Sequence, residues 1–549
     1  MAVPERLGGE HALTDLKQVV EGALRTNGAL LTAGERVICQ RIGALEGASG
    51  RVYARLAGRS GELFRVDQLR YEGAVEGIDG LVSCGLVHEG IPWSQRMACF
   101  TVEELKGACR RLGLRVGGKR AELEERLAGQ AGWSDARVVR VTHKALIRRL
   151  ELLWFRSPWR DRSVMVLERL GHFQPARYEV GGGGRAFATR AALMAYEAAR
   201  VADLEPEEAL DQAEKHPPRP AHLRRLDTRR VLGSRALERT RELEREGSDR
   251  VEGLYRRALA LEIDCGFAAW RLAQVLDRAG RAREGAGLCD RWRERVLPTE
   301  ALQLERTGRR LARKAGMLWR PMRPFEKAPL RHVRLEAAER LGNRPGWGRG
   351  VLIEQACMEA LAPRRVLFAE NLLWTTLFGL LFADLYFLPV EGMLPAPFLF
   401  GPLDLGTSEF RLRRRQVEDR LDAIRAGEGL PILRRNRAER EGQSISGLAW
   451  EAWTPEDLEA VCLGIGPAAA SICERLLDEG WRAARGLPDL CILPGEACPI
   501  DGIPATVGEG LLLVEVKGPT DAMRDDQRIW HDRLLRAGIG VEVWSVTAT

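Results

Sequence analysis

Lysine is scarce in this sequence. The chain has 549 residues with 84 lysines and arginines, of which only 8 are lysines and 76 are arginines. In the 222 residues that follow Lys327, the only lysine is Lys517. An ammonium group is a compact donor, whereas the planar guanidinium fork grips carboxylates and phosphates side-on. The scarcity indicates that position 517 requires a lysine.

Several absences exclude other classes of protein. The 11 cysteines include no C-x-x-C pair and no Cys/His cluster at zinc spacing, so we expect free thiols in a reducing compartment. The opening MAVPERLGGEHALTDLKQ lacks the apolar core of a signal peptide, so secretion is not expected. The apolar run from Leu372 to Ala383 is 12 residues long, too short for the roughly 20 that cross a bilayer. It predicts a buried helix and gives no reason to expect a membrane partner.

The length and charge describe a large protein with local basic surfaces. The length of 549 residues allows three or four domains. The net charge is +7 and the isoelectric point is about 8.9, which fits a polyanionic partner. Because the excess is modest, we expect the basic faces to be local.

Two apolar runs near the C-terminus carry polar residues at their ends. Glu515 and Lys517 close GLLLVEVKGP and share one face of a strand, whereas Val516 points to the opposite face. Asp489 in GLPDL stands 26 residues earlier, and the Pro- and Gly-rich segment between predicts a loop that returns the chain beside it. Two carboxylates and an ammonium suit metal-assisted phosphodiester hydrolysis. The alternative is a turn and a solvated strand face.

The predicted buried helix near residues 366–390 carries two acids. Glu370 and Asp384 are 14 residues apart, which places them about 40° apart on a helix surface, so both could face one site. A buried carboxylate without a partner is costly. For Glu370, near the helix start, an exposed end and a metal-facing position are both open. Asp384 is interpreted as structural.

Residues 100–130 predict a helical hairpin that resembles the SAP module, a small unit that binds duplex DNA mostly through its backbone. Thr101 and Glu104 form a capping box at the first helix, and the run G-K-R-x-E-L follows at Gly118 to Leu123. The alternative is a hairpin with a solvated basic face. The residues expected to contact phosphates are Lys106, Arg110, Arg111, Lys119 and Arg120.

Residues 235–296 contain a repeated helix pair. Gly247 and Gly280 lie 33 residues apart at equivalent turns, and Tyr255 corresponds to Cys289 at a spacing of 34. This period resembles tetratricopeptide repeats. Two repeats are marginal alone, so we expect them to pack on flanking helices from about 190 to 345.

These modules, in this order, resemble the Fanconi-associated nuclease family with its C-terminal virus-type replication-repair nuclease (VRR-NUC) domain. The resemblance runs from about residue 98 and also rests on FAENLLWTTLFGLLFADLYF, LPDL and LLLVEVKGP. It implies a multidomain, mainly α-helical fold with a C-terminal α/β nuclease core of the PD-(D/E)xK type. The implied activity is that of a metal-dependent, structure-selective nuclease that cuts 5′-flap DNA and degrades from 5′ ends in interstrand crosslink repair. The implied partner is branched or flapped double-stranded DNA.

The resemblance also implies roles for particular residues. Glu370, Asp489, Glu515 and the Val516 carbonyl match the ligands of Mg²⁺ or Mn²⁺, and Lys517 matches the catalytic lysine. The family's 5′-phosphate pocket is less well matched, because the helix predicted over 521–537 carries Arg524 and Arg528 among the acids Asp521, Asp525 and Asp526. Arg524 is the residue of this helix that we expect to contact DNA.

Other expectations complete the prediction. No Cys/His spacing matches the ubiquitin-binding zinc finger of some family members, and the resemblance implies no particular protein partner. The location would be the nucleoid in a bacterium or the nucleus in a eukaryote. Alternative functions are a four-way junction resolvase and a non-catalytic DNA-binding scaffold. The predicted domains are a helical or winged unit (1–97), a SAP-like module (98–131), a helical connection (132–225), a tetratricopeptide-like scaffold (226–345) and the nuclease domain (346–549).

Overall fold

The computed structural model describes residues 9–130, 132–180, 184–335, 351–407, 409–410, 413–494, 510–519 and 521–548. The chain divides into two compact units. Unit 1 comprises Met1–Gln174, Val180–Leu193 and Pro395–Phe398, and unit 2 comprises Pro175–Glu179, Met194–Leu394 and Leu399–Thr549.

Unit 1 combines helices with a small antiparallel sheet. Its strands are β1 (Leu63–Arg65), β2 (Val87–His88) and β3 (Val138–Val141), in the order β1-β3-β2. The N-terminal residues therefore contain both helices and strands. The helices are α1 (Gly9–Asn27), α2 (Ala33–Gly43), α3 (Gly47–Gly58), α4 (Ala74–Ser83), α5 (Trp93–Arg96), α6 (Val102–Arg111), α7 (Arg120–Ala128), α8 (Lys144–Phe155) and α9 (Ser163–Arg169).

The SAP-like hairpin is an insertion in unit 1. Helices α6 and α7 lie in the chain between β2 and β3, which belong to the same sheet. Thr101 and Glu104 form the predicted capping box at α6. The apolar faces of the two helices meet in a core that includes Leu105, Leu123 and Trp133.

Unit 2 begins with a series of packed helices. The boundary between the units falls within β4 (Gln174–Pro175) and again within α10 (Arg190–Val201). Six further helices follow along the chain. Gly247 and Gly280 end α12 and α14 with φ of +78° and +76°, a backbone conformation that favours glycine. Tyr255 and Cys289 are both fully buried. The helices are α11 (Pro206–Glu214), α12 (Thr228–Glu246), α13 (Val251–Ala260), α14 (Cys265–Arg278), α15 (Ala282–Trp292) and α16 (Pro298–Lys314).

The C-terminal part of unit 2 is built on a mixed five-stranded sheet. The strand order is β5-β10-β9-β8-β6, with β10 parallel to β5 and β9, and β8 antiparallel to β9 and β6. Strand β5 was not anticipated from the sequence. The strands are β5 (Leu330–Leu335), β6 (Val366–Phe368), β8 (Leu490–Ile492), β9 (Leu512–Lys517) and β10 (Gly540–Ala548), and the short β7 (Gln443–Ser444) lies outside this sheet.

Helices cover both faces of this sheet. The helices of this part are α17 (Val351–Ala360), α18 (Leu372–Tyr386), α19 (Arg414–Arg425), α20 (Gly429–Arg440), α21 (Pro455–Ile465), α22 (Ala469–Glu479) and α23 (Asp525–Arg536). Along β9, Leu513 packs into a core with α18 and α23, whereas Leu512 and Val514 pack on the opposite face with α17. The predicted fold class, mainly helical with an α/β core, is confirmed. Helix α23 begins at Asp525, four residues later than predicted.

Helix α18 is the buried apolar helix expected from the sequence, with Trp374 and Phe382 fully buried. The prediction that Glu370 and Asp384 share a helix face is wrong. Asn371 stands before the helix with φ of +54°, so Glu370 lies outside it. Asp384 pairs with Arg420 at 2.5 Å, which confirms its structural interpretation.

Two further sequence expectations concern the membrane and the cysteines. Within the described residues, the stretch Pro455–Ala484 is apolar and long enough to cross a bilayer by length and composition. It consists of several short helices, and 56% of its most apolar window is buried inside the protein, as in a core helix. The ten cysteines of the described residues are free thiols. Cys498 lies outside those residues.

Candidate active site

The ends of β8 and β9 bring Asp489 and Glu515 together. Because Leu490 pairs with Val514 in this antiparallel ladder, Asp489 falls beside Glu515. The Val516 backbone N–H donates to Asp489 Oδ2 at 2.8 Å. Asp489 is 9% exposed and Glu515 is fully buried. The proximity predicted from strand alternation is observed, although most of the predicted loop, residues 495–509, lies outside the described residues.

Glu515 receives two donors on a single oxygen. Lys517 Nζ donates to Glu515 Oε1 at 2.6 Å, and Gln527 Nε2 donates to the same oxygen at 2.5 Å. Glu515 Oε2 is buried and has no hydrogen-bond partner among the described groups. His531 Nε2, also buried and without a hydrogen bond there, lies 3.8 Å from it. One carboxylate oxygen therefore remains available to a ligand.

Gln527 and His531 were missed by the sequence analysis. Both project from α23, which runs from Asp525 to Arg536, and both are buried. A spacing of four residues places two side chains on the same helix face. The pattern Q-x-x-x-H in an otherwise charged segment was the available signal.

The surroundings of Asp489 disfavour its charged form. Burial and, after it, the charge of the nearby Glu515 carboxylate together raise the pKa of Asp489 to about 8, against the opposing effect of the Val516 N–H bond. Two adjacent carboxylates resist ionising together in the absence of a cation. A bound cation would relieve this repulsion.

Glu370 lies beside Asp489 in the backbone. The Ala369 N–H donates to the Asp489 carbonyl at 2.7 Å, which holds the chain just before Glu370 against the start of β8. Glu370 is half-buried, and Asn371 Nδ2 donates to its Oε1 at 3.4 Å. Of the two interpretations of this residue, the position near the carboxylate pair favours the metal-facing one.

A further acid, Glu354 on α17, was not found by sequence analysis. Burial raises its pKa, and the charges of Glu370 and Glu515 raise it further. Its Oε2 atom is buried without a hydrogen-bond partner among the described groups. Its helix precedes the recognised motifs, and nothing in the local pattern distinguished it.

The donor set fits a hard divalent cation. Carboxylate oxygens and a backbone carbonyl are the ligands that Mg²⁺ and Mn²⁺ prefer. A positive charge would interact favourably with Glu515 Oε2, which has no hydrogen-bond partner among the described residues, and would stabilise the charged form of Asp489, whose pKa is raised. Among the described residues, no three acidic, histidine or cysteine side chains stand close enough to hold an ion as they are placed. The assignment of Glu370, Asp489, Glu515 and Val516 as ligands therefore stays a prediction.

Three of the five basic residues predicted to contact phosphates form ion pairs with acids of the same hairpin. Lys106 and Arg110 both approach Glu103, at 4.0 and 2.9 Å. Arg120 pairs with Glu124 at 2.6 Å. The remaining two, Arg111 and Lys119, are exposed, and Arg111 also donates to a backbone carbonyl. DNA binding would exchange the ion pairs for phosphate contacts.

The acids around Arg524 have partners of their own. Asp525 pairs with Arg306 at 2.5 Å, and Asp521 Oδ2 accepts from the Gly518 N–H at 3.0 Å. Arg524 is exposed, and within the described part of the chain its ion-pair contact is with Asp526 at 3.5 Å. The contact of Arg524 with DNA stays a prediction.

Two domain families match the chain. The VRR-NUC domain matches residues 426–548 and the SAP domain matches residues 100–130. The VRR-NUC match includes Asp489, Glu515 and Lys517. The SAP match covers α6 and α7.

Fanconi-associated nuclease 1 homologs match the chain over different lengths. The chain is 26% identical over 604 residues to a Fanconi-associated nuclease 1 homolog of Arabidopsis thaliana, covering 96% of this chain and 66% of that protein. A homolog from Oryza sativa subsp. japonica is 34% identical, with 18% of its length covered. The chain thus spans less than two thirds of these plant relatives. The Pseudomonas aeruginosa homolog is 29% identical, with 91% of this chain and 89% of that protein covered.

A solved structure shows the same fold. The structure described as paFAN1 bound to DNA with a 2-nucleotide 5′ flap and a gap matches with a TM-score of 0.79 and 24% identity, and it covers 100% of both chains. At this identity the likeness establishes the fold. The resemblance predicted from the order of the modules is confirmed.

Proposed function

Since this chain resembles the Fanconi-associated nucleases over 96% of its length, we propose that it is a metal-dependent, structure-selective DNA nuclease. It cuts 5′-flap DNA and degrades DNA from 5′ ends, and the resemblance places this activity in interstrand crosslink repair. The observation that carries the proposal is that Asp489, Glu515 and Lys517 meet at the ends of β8 and β9, where Glu515 Oε2 is buried without a hydrogen-bond partner among the described residues.

A nuclease with a VRR-NUC domain implies a divalent metal. Mg²⁺ or Mn²⁺ fits the oxygen donors of this site, and the ligands would be Glu370, Asp489, Glu515 and the Val516 carbonyl. When bound, the ion lowers the pKa of water and stabilises negative charge on the scissile phosphate.

The protein's own residues orient the ligands and supply a cation. The Val516 N–H holds Asp489 Oδ2, and Gln527 holds Glu515 Oε1, so both carboxylates are oriented before substrate arrives. The Lys517 ammonium is only 14% exposed, and it offers N–H groups beyond its bond to Glu515. It orients the attacking water or offsets the charge that develops on the phosphate. The 3′-oxygen leaves, and the 5′-phosphate stays on the released fragment.

Binding of the substrate is assigned to surfaces outside this site. Phosphate contacts supply most of the affinity of proteins for DNA, without sequence information. The SAP domain and Arg524 are candidates for such contacts. Action on DNA places the protein in the nucleoid or the nucleus, according to the cell type.

Separation of chemistry from binding tests the proposal. We expect Asp489→Ala or Glu515→Ala to abolish cleavage and to leave affinity for flap DNA largely intact, because most phosphate contacts lie elsewhere. Glu359→Ala is a matched control, because this acid on α17 is exposed and accepts a hydrogen bond from Gln355 on the same helix.

The assay uses end-labelled DNA with Mg²⁺ or Mn²⁺. The substrates are a 5′ flap, a 3′ flap, a four-way junction and a linear duplex. Cleavage confined to the 5′ flap and 5′ ends supports the proposal. Symmetric nicking of the junction would instead establish a resolvase, and DNA binding without any cleavage would establish a scaffold. Metal-dependent cleavage that survives both alanine variants would eliminate the proposed site.

A further inference from the structure

The first turn of α17 reaches the end of β9, although this helix packs on the sheet face opposite Glu515. Its apolar residues Ala356 and Cys357 pack with Val514 and Val516. A Cβ atom placed on Gly518, just after β9, would lie 3.3 Å from Ile353 Cδ1. Glu354 is the next residue, so its side chain starts beside the point where Lys517 and Gly518 leave the sheet.

One oxygen of the Glu354 carboxylate, Oε2, is buried without a hydrogen bond to the described residues. On the exposed face of the same helix, Gln355 donates to Glu359 at 3.0 Å, so the acid there is satisfied. Leaving a buried polar atom unsatisfied costs about 1–3 kcal/mol. Such an atom therefore calls for a ligand that the protein itself does not supply.

Glu354 lies near enough to the candidate metal ligands for their charges to act on one another. Its charge raises the pKa of Asp489, and the charges of Glu370 and Glu515 raise its own. The charge of Lys517 lowers the pKa of both Glu354 and Asp489, and its ammonium already donates to Glu515 Oε1. Glu515 is fully buried, and its Oε2 also has no hydrogen-bond partner among the described residues. Two carboxylate oxygens from different elements, Glu354 Oε2 and Glu515 Oε2, thus lack hydrogen bonds within that part of the chain.

We propose that Glu354 is a further metal-positioning residue of this site, whose Oε2 accepts from water bound to the divalent cation. This inference rests on the proposed function. Mg²⁺ dehydrates reluctantly and is commonly held by one or two carboxylates while it keeps several waters. Acids placed around such a hydrated ion need not touch it. The neutral amide in Glu354→Gln keeps the size and removes the charge.

Metal affinity of the DNA-free protein is the first measurement. We titrate Mn²⁺ into wild type, Glu354→Gln and Glu359→Gln and follow free Mn²⁺ by electron paramagnetic resonance. Residues that orient metal-bound groups typically contribute about 10–100-fold to metal affinity. We expect a loss of at least about 10-fold for Glu354→Gln and none for Glu359→Gln. Wild-type affinity in Glu354→Gln would overturn the proposal.

Thermal unfolding separates this role from a structural one. In EDTA, Glu354→Gln should unfold at or above the wild-type temperature, because it removes an unpaired buried acid among like charges. With Mn²⁺ added, wild type should gain more stability than the variant. A variant that is less stable than wild type in EDTA, or that fails to fold, would overturn the proposal. Glu354→Asp, which retains the charge, should recover part of the Mn²⁺ affinity, and failure to do so also counts against the proposal.

Asp489→Asn in the same titration distinguishes the two proposals. If Asp489→Asn loses Mn²⁺ affinity and Glu354→Gln does not, the metal site stands and only the role of Glu354 fails. If Asp489→Asn keeps full affinity, the metal site of the proposed function fails, and the role of Glu354 fails with it.

Discussion

Replacement of Lys517 by arginine tests why this arginine-rich protein has a lysine there. In the structure, Lys517 Nζ lies 2.6 Å from Glu515 Oε1, and the two side chains are 14% and 1% exposed. If the lysine only neutralises Glu515, arginine should serve equally well, because its fork pairs with carboxylates on both oxygens. If the reaction needs a compact donor, arginine should fail despite its charge.

The local geometry favours failure of the arginine variant. Gln527 already donates to Glu515 Oε1, and Oε2 has no hydrogen bond within the described part of the chain. A guanidinium at position 517 would reach toward Oε2, which is the atom left for a ligand. Loss of one preorganised electrostatic stabiliser costs about 10²–10³ in rate, or about 2.7–4 kcal/mol. We therefore expect Lys517→Arg and Lys517→Ala to lose cleavage by at least that order.

The assay is single-turnover cleavage of a 5′-flap substrate, with DNA affinity measured alongside. Lys314→Arg is the control, because Lys314 pairs with Asp277 at 2.7 Å and is 56% exposed. That variant should keep the wild-type rate, and all variants should bind DNA with similar affinity. Cleavage by Lys517→Arg at a near wild-type rate would refute the reasoning and return Lys517 to a simple ion-pair partner.

Two further predictions concern stability. Gly486 has φ of +85°, and a Cβ atom there would lie 2.6 Å from the Asp526 carbonyl carbon. The control is Gly538, which has a similar φ of +81° but open space around it. In urea unfolding, Gly486→Ala should therefore lose more stability than Gly538→Ala. Equal losses would show that the contact between this turn and α23 is unimportant. For Asp489, whose pKa burial raises to about 8 from 3.8, the folded state retains the proton more strongly than the unfolded state. In EDTA, its contribution to stability should therefore be lost as pH rises from about 4 to about 8, and the advantage of Asp489→Asn over wild type should grow across that window. Unfolding free energies at pH 5, 7 and 9 check this, and a difference that does not change with pH would contradict it.

Local patterns in the sequence were sufficient for several features. Strand alternation and the antiparallel return bring Asp489, Glu515 and Lys517 together, because side-chain direction in a strand follows from residue number alone. The apolar run that becomes α18 was long enough to predict a buried helix. The capping box at Thr101 depends on residues only three positions apart. Each of these features depends on residues close together in the sequence or on a single pair of strands.

Tertiary structure decided the features that depend on distant packing. Glu354 arrives from a helix on the opposite face of the sheet, and His531 arrives from α23, so no short motif joins either to Glu515. The left-handed conformation of Asn371 removed Glu370 from the helix that periodicity assigned to it. The sequence by itself determined which polar residues end the central strands, because that follows from a period of two. Only the folded chain determined which other groups reach those strand ends and which carboxylate oxygens remain unpaired, because both depend on how separate helices pack around one sheet.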